Sequence, residues 1–287
     1  MGRRHAIGLR HLSAICQMSE EERLAFLHEG LPVILASAEG FWAAAAAITD
    51  RPREAEVLEG FAAEEAAKIL ILVDLYRCPR ARRAEQVGTV VGWYYDHLAR
   101  LPYAARIGWR PITKGELRLL IDRDRRSHVV DGPAGEWIMA AGPVVERERR
   151  LHADVERYDD GSLVWNEPRG LPPIGKPYPP GALRVVRAMH NLGLLTVEGL
   201  TAISDVWSNA SLTDDLTFAD ARDLIHRTLL AVEAAGAITD AATEDDLQML
   251  FRNWSFPMWD FDLGMIDVPM EELETERDSN LWNEAGW

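Results

Sequence analysis

The sequence has little cysteine, since Cys16 and Cys78 are its two thiols among 287 residues. Two thiols cannot build a disulfide framework, and a tetrahedral metal site would need additional ligands of other kinds. Proteins that fold without disulfides are typical of reducing compartments. The scarcity of cysteine therefore predicts a cytoplasmic protein and excludes a disulfide-stabilised secreted scaffold.

A long uninterrupted apolar run is also missing. Residues 1–12 carry positive charge without an apolar segment behind them, and Ala6 stands where a myristoylation signal requires Ser or Thr. The most apolar stretch, residues 30–49, contains Pro32 and Glu39, whereas a membrane-spanning helix requires about 20 predominantly apolar residues. We therefore predict a buried helix in this stretch and no contact with a membrane.

Several common catalytic signatures are absent as well. The chain has no P-loop, no G-x-G-x-x-G dinucleotide motif and no G-x-S-x-G nucleophile elbow. A carboxylate-bridged di-iron bundle needs a Glu followed three residues later by His, and the nearest match is Asp223 with His226. We therefore expect neither a metal nor any other cofactor.

The sequence does contain strong helical patterning. Ser19 and Glu22 form a capping box, and prolines mark several of the boundaries between the helix-period stretches that follow. Alternating stretches at residues 152–158 and 162–166 flank a turn signal and predict one β-hairpin. We predict a mainly α fold, an antiparallel helical bundle with a small β-hairpin and a second helical region. The predicted helices cover residues 20–28, 32–47, 54–76, 84–107, 111–126, 137–152, 182–195, 196–209 and 218–236.

Composition divides the chain into five regions. Residues 167–181 hold six of the 15 prolines, a density typical of an extended linker. The tail carries four tryptophans among acidic residues, so we expect at least part of it to dock on another surface. The regions are a helical bundle (1–130), a helix with the β-hairpin as an insertion (131–166), the Pro-rich linker (167–181), a C-terminal helical region (182–252) and the acidic Trp-rich tail (253–287).

Charge is distributed unevenly in this chain, whose net charge is −15. Residues 77–126 contain 12 Lys or Arg against five acids, a local charge of +7. Residues 240–287 contain 13 acids against two arginines, a local charge of −11. The basic segment could bind a polyanion such as RNA, or it could pair with the acidic tail within the fold or across a dimer.

The predicted helix over residues 54–76 carries charges at positions that should be buried. Glu64, Glu65 and Lys68 fall on its apolar stripe at 100° per residue. Isolated charges are costly to bury, and the spacing allows Lys68 to pair with either glutamate. The three charges therefore form a structural ion-pair network or line a functional cleft. The helix face opposite the stripe carries Glu56, Glu59, Asp74 and Arg77 and is predicted to be polar.

The next predicted helix places His97 at the edge of its apolar face. His97 lies between Tyr94 and Leu101 on that face, and Arg100 occupies the adjoining boundary. A histidine in this position is either a satisfied core residue or a group that transfers protons. Its exposure and its partners in the folded chain should distinguish the two.

Two short motifs carry a resemblance to a known family. Residues 63–68, Ala-Glu-Glu-Ala-Ala-Lys, precede residues 94–100, Tyr-Tyr-Asp-His-Leu-Ala-Arg, by some thirty positions. This pair resembles the two helices that mark AbiV-type abortive-infection proteins of the HEPN superfamily, over residues 20–126. The resemblance implies a HEPN-like bundle and a homodimer. Many HEPN proteins are metal-independent endoribonucleases with an R-x4-6-H motif, and AbiV proteins arrest phage development by interfering with translation.

The R-x4-6-H pattern occurs five times, too often among 28 Arg and 8 His to identify a site alone. Arg123 with His128 is the best match physically, because it ends the basic segment and precedes a Gly-Pro turn. The resemblance implies attack of a ribose 2′-OH on its own phosphate, with a His as base, a cation at the phosphate and carboxylates that orient the cation. The candidates for the base are His97 and His128. The candidates for the cation are Arg100, Arg125 and Lys68, and the carboxylates that orient it would be Glu64 and Glu65.

A non-enzymatic function would use the same features. The charges could hold a dimer together, and residues 253–287 could bind a basic partner such as a ribosomal or toxin protein. The tail could also cover the basic segment in place of RNA, because carboxylates and phosphates compete for the same guanidinium donors. The first prediction is a phage-defence endoribonuclease or RNA-binding protein, and the second is a dimeric interaction protein.

Overall fold

A computed structural model describes residues 14–157, 162–168 and 177–284. The described chain is mainly α-helical with small antiparallel hairpins, which confirms the fold class predicted from the sequence. The helices are α1 (Glu20–Ala47), α2 (Pro52–Arg77), α3 (Arg80–Tyr95), α4 (His97–Ala105), α5 (Lys114–Asp124), α6 (Gly142–Leu151), α7 (Gly181–Asn191), α8 (Val197–Trp207), α9 (Phe218–Ala234), α10 (Glu244–Asn253) and α11 (Met270–Glu284). The strands are β1 (His128–Asp131), β2 (Trp137–Ala140), β3 (Asp154–Arg157) and β4 (Leu163–Asn166).

Helix α1 begins at the predicted Ser19 capping box but does not break at Pro32. The predicted division into two helices is therefore wrong. An internal proline removes one backbone hydrogen bond and costs about 3 kcal/mol. Leu27, Leu31 and Leu35 are buried on both sides of the proline, and the packing of α1 against α2 offsets that loss.

The apolar stretch at residues 30–49 buries one face of α1 rather than the whole helix. In its most apolar 18-residue window, which has a mean hydropathy of 1.3, 22% of the residues are buried. Among the described residues, α1 alone has the length and composition of a membrane-spanning helix, a criterion that core helices of soluble proteins also meet. The expectation that the chain contacts no membrane stays a prediction.

Helix α2 is the centre of the fold. It contacts α1, α3, α4, α7 and α8, and its second half, from Ala66 to Arg77, is buried nearly all round. The predicted polar face is wrong at this end, because Asp74 and Arg77 are both fully buried. They face elements from the C-terminal part of the chain, which helical periodicity alone cannot locate.

The helix predicted over residues 84–107 is broken at Asp96. The backbone of Asp96 is extended, and its Oδ1 accepts a hydrogen bond of 2.9 Å from the N–H of Leu98. Asp96 therefore caps a separate helix, α4, as Asp commonly does at this position. This break places His97 in the first turn of α4 rather than in the middle of a long helix.

Two hairpins flank α6. The predicted hairpin is present, with β3 paired to β4 and Val155 opposite Trp165, although its turn lies outside the described residues. Residues 137–140, predicted as part of a helix, instead form β2 and pair with β1. Gly132 and Gly135 adopt positive φ angles of 105° and 65° in the connection, which favours a tight turn over a helix.

One hydrophobic core runs through the bundle, the C-terminal helices and the tail. Buried residues from Leu27 to Leu263 belong to a single cluster. Within it, the C-terminal segment, residues 254–263, contributes Trp254, Phe256, Met258 and Trp259, each at most 2% exposed. Residues 169–176 of the predicted linker lie outside the described residues, but helix α7, which follows the linker, packs against α1, α2 and α4, which precede it.

Candidate functional site

The centre of the candidate site is the buried carboxylate of Glu64 on α2, which is 6% exposed. One of its oxygens, Oε2, lies 2.8 Å from His97 Nδ1, and the other, Oε1, accepts a 2.8 Å hydrogen bond from Arg147 Nε. Arg100 Nη1 lies 3.8 Å from Oε2. We call Glu64, His97, Arg100 and Arg147 the Glu64 cluster. It joins α2, α4 and α6.

The Glu64 contact favours one tautomer of His97. A carboxylate accepts hydrogen bonds, so the 2.8 Å contact favours a proton on Nδ1 and leaves Nε2 able to accept one. Arg100 Nη1, which only donates, lies 3.4 Å from the same Nδ1. The side chain of His97 is 57% exposed, and Nε2 makes no hydrogen bond to a residue that the structure describes. A buried carboxylate that orients a histidine and leaves its second nitrogen to solvent is an arrangement suited to proton transfer.

Arg100 supports the cluster from inside the protein. It is 6% exposed, and its guanidinium donates to the backbone carbonyl of Tyr94 through Nε at 2.9 Å and Nη2 at 2.5 Å. Burial lowers the pKa of Arg100, and the nearby Glu64 and Glu65 carboxylates oppose that shift. Arg100 therefore holds α3 and α4 in place and supplies positive charge behind His97 rather than presenting it to solvent.

Glu65 and Lys68 form a neighbouring ion pair on α2, with side chains 18% and 14% exposed. Lys68 Nζ also lies 5.3 Å from the centre of the Tyr94 ring, within the range of a cation–π interaction. Burial raises the pKa of Tyr94. The structure thus brings five of the predicted site residues, Glu64, Glu65, Lys68, His97 and Arg100, to one side of α2.

Arg147 belongs to the site but was not among the predicted residues. Burial would lower its pKa, but the hydrogen bonds and charges of Glu64 and Glu148 together outweigh that effect and raise it. The sequence offered one weak signal, since Arg147 and His152 are among the five matches to the R-x4-6-H pattern. A buried glutamate requires cationic partners, but nothing local indicates that one comes from a helix some eighty residues away.

An apolar pocket of about 230 Å³ adjoins the cluster between α2, α4 and α6. Glu64 and Arg147 form part of its wall, together with apolar side chains such as Phe61 and Leu101. Glu56 and Arg150 supply further charge. Apolar walls with a few convergent polar groups are characteristic of small-ligand sites, which are commonly ~300 Å³ or larger.

Arg125 and His128 do not join this site. Arg125 donates to Asp122 and to the carbonyl of Gly264, and His128 opens β1 with Nδ1 3.3 Å from Ser127 Oγ. Within the described part of the chain, no hydrogen bond or ion pair connects either residue to the Glu64 cluster. The basic motif at residues 123–128 instead contacts the tail, where Arg125 donates to the carbonyl of Gly264 and Arg126 pairs with glutamates of α11.

The basic segment is largely neutralised by the tail and by other acids. Lys114 is fully buried and its Nζ lies 2.8 Å from Asp260, while Arg126 reaches two glutamates of α11. Arg118 also contacts Asp260. Burial lowers the pKa of Lys114, and the Asp260 carboxylate opposes that shift. Of the alternatives for residues 77–126, the geometry matches pairing with the acidic tail within the fold.

Comparison of this chain with protein-family models, with curated proteins and with solved structures gives no match. The resemblance to AbiV-type HEPN proteins therefore stays a prediction. Among the described residues, no group of three or more His, Cys, Asp or Glu side chains is arranged to hold a metal ion.

Proposed function

We propose that the chain is an endoribonuclease in which His97 is the proton-transfer group. The observation that supports the proposal is the exposed imidazole of His97, held at 2.8 Å by the largely buried carboxylate of Glu64. A carboxylate in this position favours one tautomer and stabilises the imidazolium that forms when Nε2 accepts a proton. Arg147 and Lys68 lie beside this imidazole, each paired with glutamates, and a substrate phosphate would compete with those carboxylates for the two cations.

The proposed reaction assigns a step to each of these groups. His97 Nε2 removes the proton of a ribose 2′-OH, and the 2′-oxygen attacks the adjacent phosphorus. The bond from phosphorus to the 5′-oxygen breaks, and this oxygen takes a proton from solvent. The products are a 2′,3′-cyclic phosphate and a 5′-hydroxyl, and His97 returns its proton to water. Arg147 stabilises negative charge on the phosphoryl oxygens as it develops.

The apolar pocket beside the cluster supplies a place for a nucleobase. Phe61 and Leu101 offer apolar contacts, and the pocket opens next to Glu64 and Arg147. Base stacking on aromatic side chains contributes about 1–3 kcal/mol per base with little sequence preference. A base in this pocket would position the adjoining ribose and phosphate near His97.

The cellular role rests on the resemblance to AbiV-type proteins. Under this proposal the chain acts as a phage-defence effector in the cytoplasm and works as a homodimer. A second copy would add another Glu64 cluster to a shared cleft.

The test is incubation of the purified full-length protein with a defined RNA in the presence of a metal chelator, with mapping of the new ends. We expect 2′,3′-cyclic phosphate and 5′-hydroxyl termini. His97→Gln should reduce cleavage by at least about 100-fold, as loss of a general base typically does. His226→Gln is the matched control, because His226 is an exposed histidine on α9. Equal cleavage by His97→Gln and wild type would refute the assignment.

An interaction protein is the second candidate, and one observation favours it. Trp282 on the acidic helix α11 is 66% exposed, an uncommon position for tryptophan. Trp254 and Trp259 are buried in the core, so they cannot reach a partner, and Trp287 lies outside the described residues. Binding of a basic protein that is lost in Trp282→Ala, without RNA cleavage by the wild type, would favour this function.

A further inference from the structure

A second cleft, which we call the arginine groove, lies away from the Glu64 cluster, between α7, α10 and the loop after α4. Its volume is about 650 Å³, within the range of nucleotide-sized ligand sites. The lining includes Arg110 from the loop, Tyr178 and Arg184 at α7, and Arg252 with Asn253 at the end of α10. The proposed nuclease chemistry uses none of these residues, although Arg184 with His190 is one of the five matches to the R-x4-6-H pattern.

Three arginines of the groove have no acidic partner among the described residues. Arg110, Arg184 and Arg252 form no ion pair with any residue that the structure describes, and Arg110 donates only to the adjoining carbonyl of Trp109. Arg187, which also lines the groove, is by contrast paired with Glu39. In a chain of net charge −15, three unpaired guanidinium groups around one cleft indicate an anionic ligand.

The groove has a basic end and an acidic end. Asn191, the last residue of α7, donates to Asp246 in the first turn of α10. The two helices pack against each other, and Arg252 lies about 10 Å along α10 from Asp245 and lines the same cleft as Gly181 and Arg184 at the start of α7. The carboxylate of Asp246 also accepts a hydrogen bond from the hydroxyl of Thr243, the N-cap of α10, and the Asp246 N–H donates to that hydroxyl. The basic end consequently combines Arg184 and Arg252 and lies well away from both carboxylates.

The first turn of α7 adds to the basic end. Its N-cap is Pro180, which makes no side-chain cap hydrogen bond, so the first N–H groups are not satisfied by a capping side chain. A Cβ atom at Gly181 would lie 2.4 Å from Ile107 Cγ2, so glycine is what allows the Arg110 loop to approach this turn. The loop thereby brings Arg110 to the same end as Arg184.

Tyr178 provides a flat aromatic surface beside these charges. Its side chain is 64% exposed, and the guanidinium of Arg184 lies 4.4 Å from the ring centre. An aromatic ring stacked with an arginine is a platform for a nucleobase, and the guanidinium can still donate in its own plane to a phosphate. A ligand with both a flat ring and a phosphate could stack on Tyr178 and accept hydrogen bonds from the arginines at the same time.

We propose that the basic end of the arginine groove binds a nucleotide, with the phosphate at Arg110, Arg184 and Arg252 and the base on Tyr178. The nucleotide is either free or part of a single-stranded RNA, since both present the same base and phosphate. This site does not depend on the chemistry proposed for His97.

The test measures binding of the full-length protein to ATP, to a short fluorescent single-stranded RNA and to inorganic phosphate. We expect ATP or the RNA to bind at least tenfold more tightly than inorganic phosphate. Binding of ATP identifies a free nucleotide, and binding of the RNA alone identifies a strand. Equal affinity for all three, or no binding, would overturn the proposal.

Variants on separate elements locate the site. Arg184→Gln and Arg252→Gln should each weaken binding about tenfold or more, as expected for a charge-assisted contact, and Tyr178→Ala at least about fivefold. Arg227→Gln, an exposed arginine of α9, is the control and should bind as wild type. His97→Gln should also bind normally, so failure of the nuclease assignment leaves this result unaffected. Groove variants that bind like the control would overturn the proposal.

Discussion

Two ionic clusters on helix α2 can be compared directly, because Glu64 and Asp74 are ten residues, or about 15 Å, apart on one helix. Asp74 is fully buried and accepts hydrogen bonds from Arg77 Nη1 at 3.1 Å, Tyr103 Oη at 2.8 Å and the N–H of Met258 at 2.8 Å. We call Asp74, Arg77 and Tyr103 the Asp74 cluster. The described partners of its carboxylate are all buried protein groups.

Arg77 in the Asp74 cluster is enclosed between two tryptophans. Its guanidinium lies 4.0 Å from the ring centre of Trp207 and 4.5 Å from that of Trp254, and it also donates to the carbonyl of Ser255. Burial lowers the pKa of Arg77 to about 10 and raises that of Tyr103 well above its usual value. The C-terminal segment therefore closes this cluster and leaves none of its groups accessible.

The Glu64 cluster uses a similarly buried carboxylate but ends at an exposed imidazole. Glu64 is 6% exposed, whereas the side chain of His97 is 57% exposed. On the proposed function, a buried acid on this helix serves stability where its last partner is covered, as at Asp74, and supports proton transfer where that partner faces solvent, as at Glu64. The following predictions test this distinction.

The largest loss of stability should come from removing residues 253–287, because this tail contains the segment that buries the Asp74 cluster. Trp254, Phe256, Met258 and Trp259 are essentially fully buried. Truncating one buried aromatic side chain typically costs 3–5 kcal/mol, and the whole stability of a domain is about 5–15 kcal/mol. We expect the truncated protein to lose cooperative unfolding in a urea titration. A truncated protein that stays folded would show instead that the tail is a removable cover of the basic segment.

Asp74→Asn should be the most destabilising of the single substitutions. It leaves the buried guanidinium of Arg77 without its counter-charge, a change that costs about 3–5 kcal/mol in comparable buried pairs. The free energy of unfolding in urea measures the effect. Asp223→Asn removes an exposed acid on α9 and should leave this free energy unchanged. Equal free energies of unfolding for the two variants would contradict the conclusion that the Asp74 cluster is fully buried and stabilises the fold.

Lys68→Met should have an intermediate effect of about 2 kcal/mol, because its pair with Glu65 is mostly but not fully buried. Methionine keeps the apolar stem of the side chain, so the loss reports the charge. The thermal midpoint should fall at both low and high salt, since a largely buried pair is weakly screened. An unchanged midpoint would place these charges in contact with water.

Trp282→Ser should have the smallest effect, less than about 0.5 kcal/mol, because most of this side chain already faces solvent. The free energy of unfolding checks the value. A loss comparable to that of Asp74→Asn would mean that α11 is covered in solution by another surface, such as a second copy of the chain.

The sequence could predict features that depend on neighbouring residues. The capping box at Ser19, the main span of α2 and the hairpin of β3 and β4 follow from local patterns, and the structure confirms them. The charges at Glu64, Glu65 and Lys68 on an apolar stripe also indicated a paired cluster correctly.

The remaining features depend on residues far apart in the chain. Asp74 and Arg77 were placed on a polar face because periodicity assumes one buried side, whereas α2 is enclosed by helices and by the C-terminal segment. Arg147 reaches Glu64 from α6, and Asp260 reaches Lys114 from the tail. The break at Asp96 was missed because the apolar pattern continues across it, although an Asp is a good helix cap.

The most direct measurement of the central claim is a comparison of RNA cleavage rate and unfolding free energy in His97→Gln. Because His97 is more than half exposed, the substitution should leave the free energy of unfolding within about 0.5 kcal/mol of the wild type. Its cleavage rate should fall at least about 100-fold. A variant that unfolds as easily as Asp74→Asn, or that cleaves RNA at the wild-type rate, would contradict the account of an open, reactive cluster at Glu64.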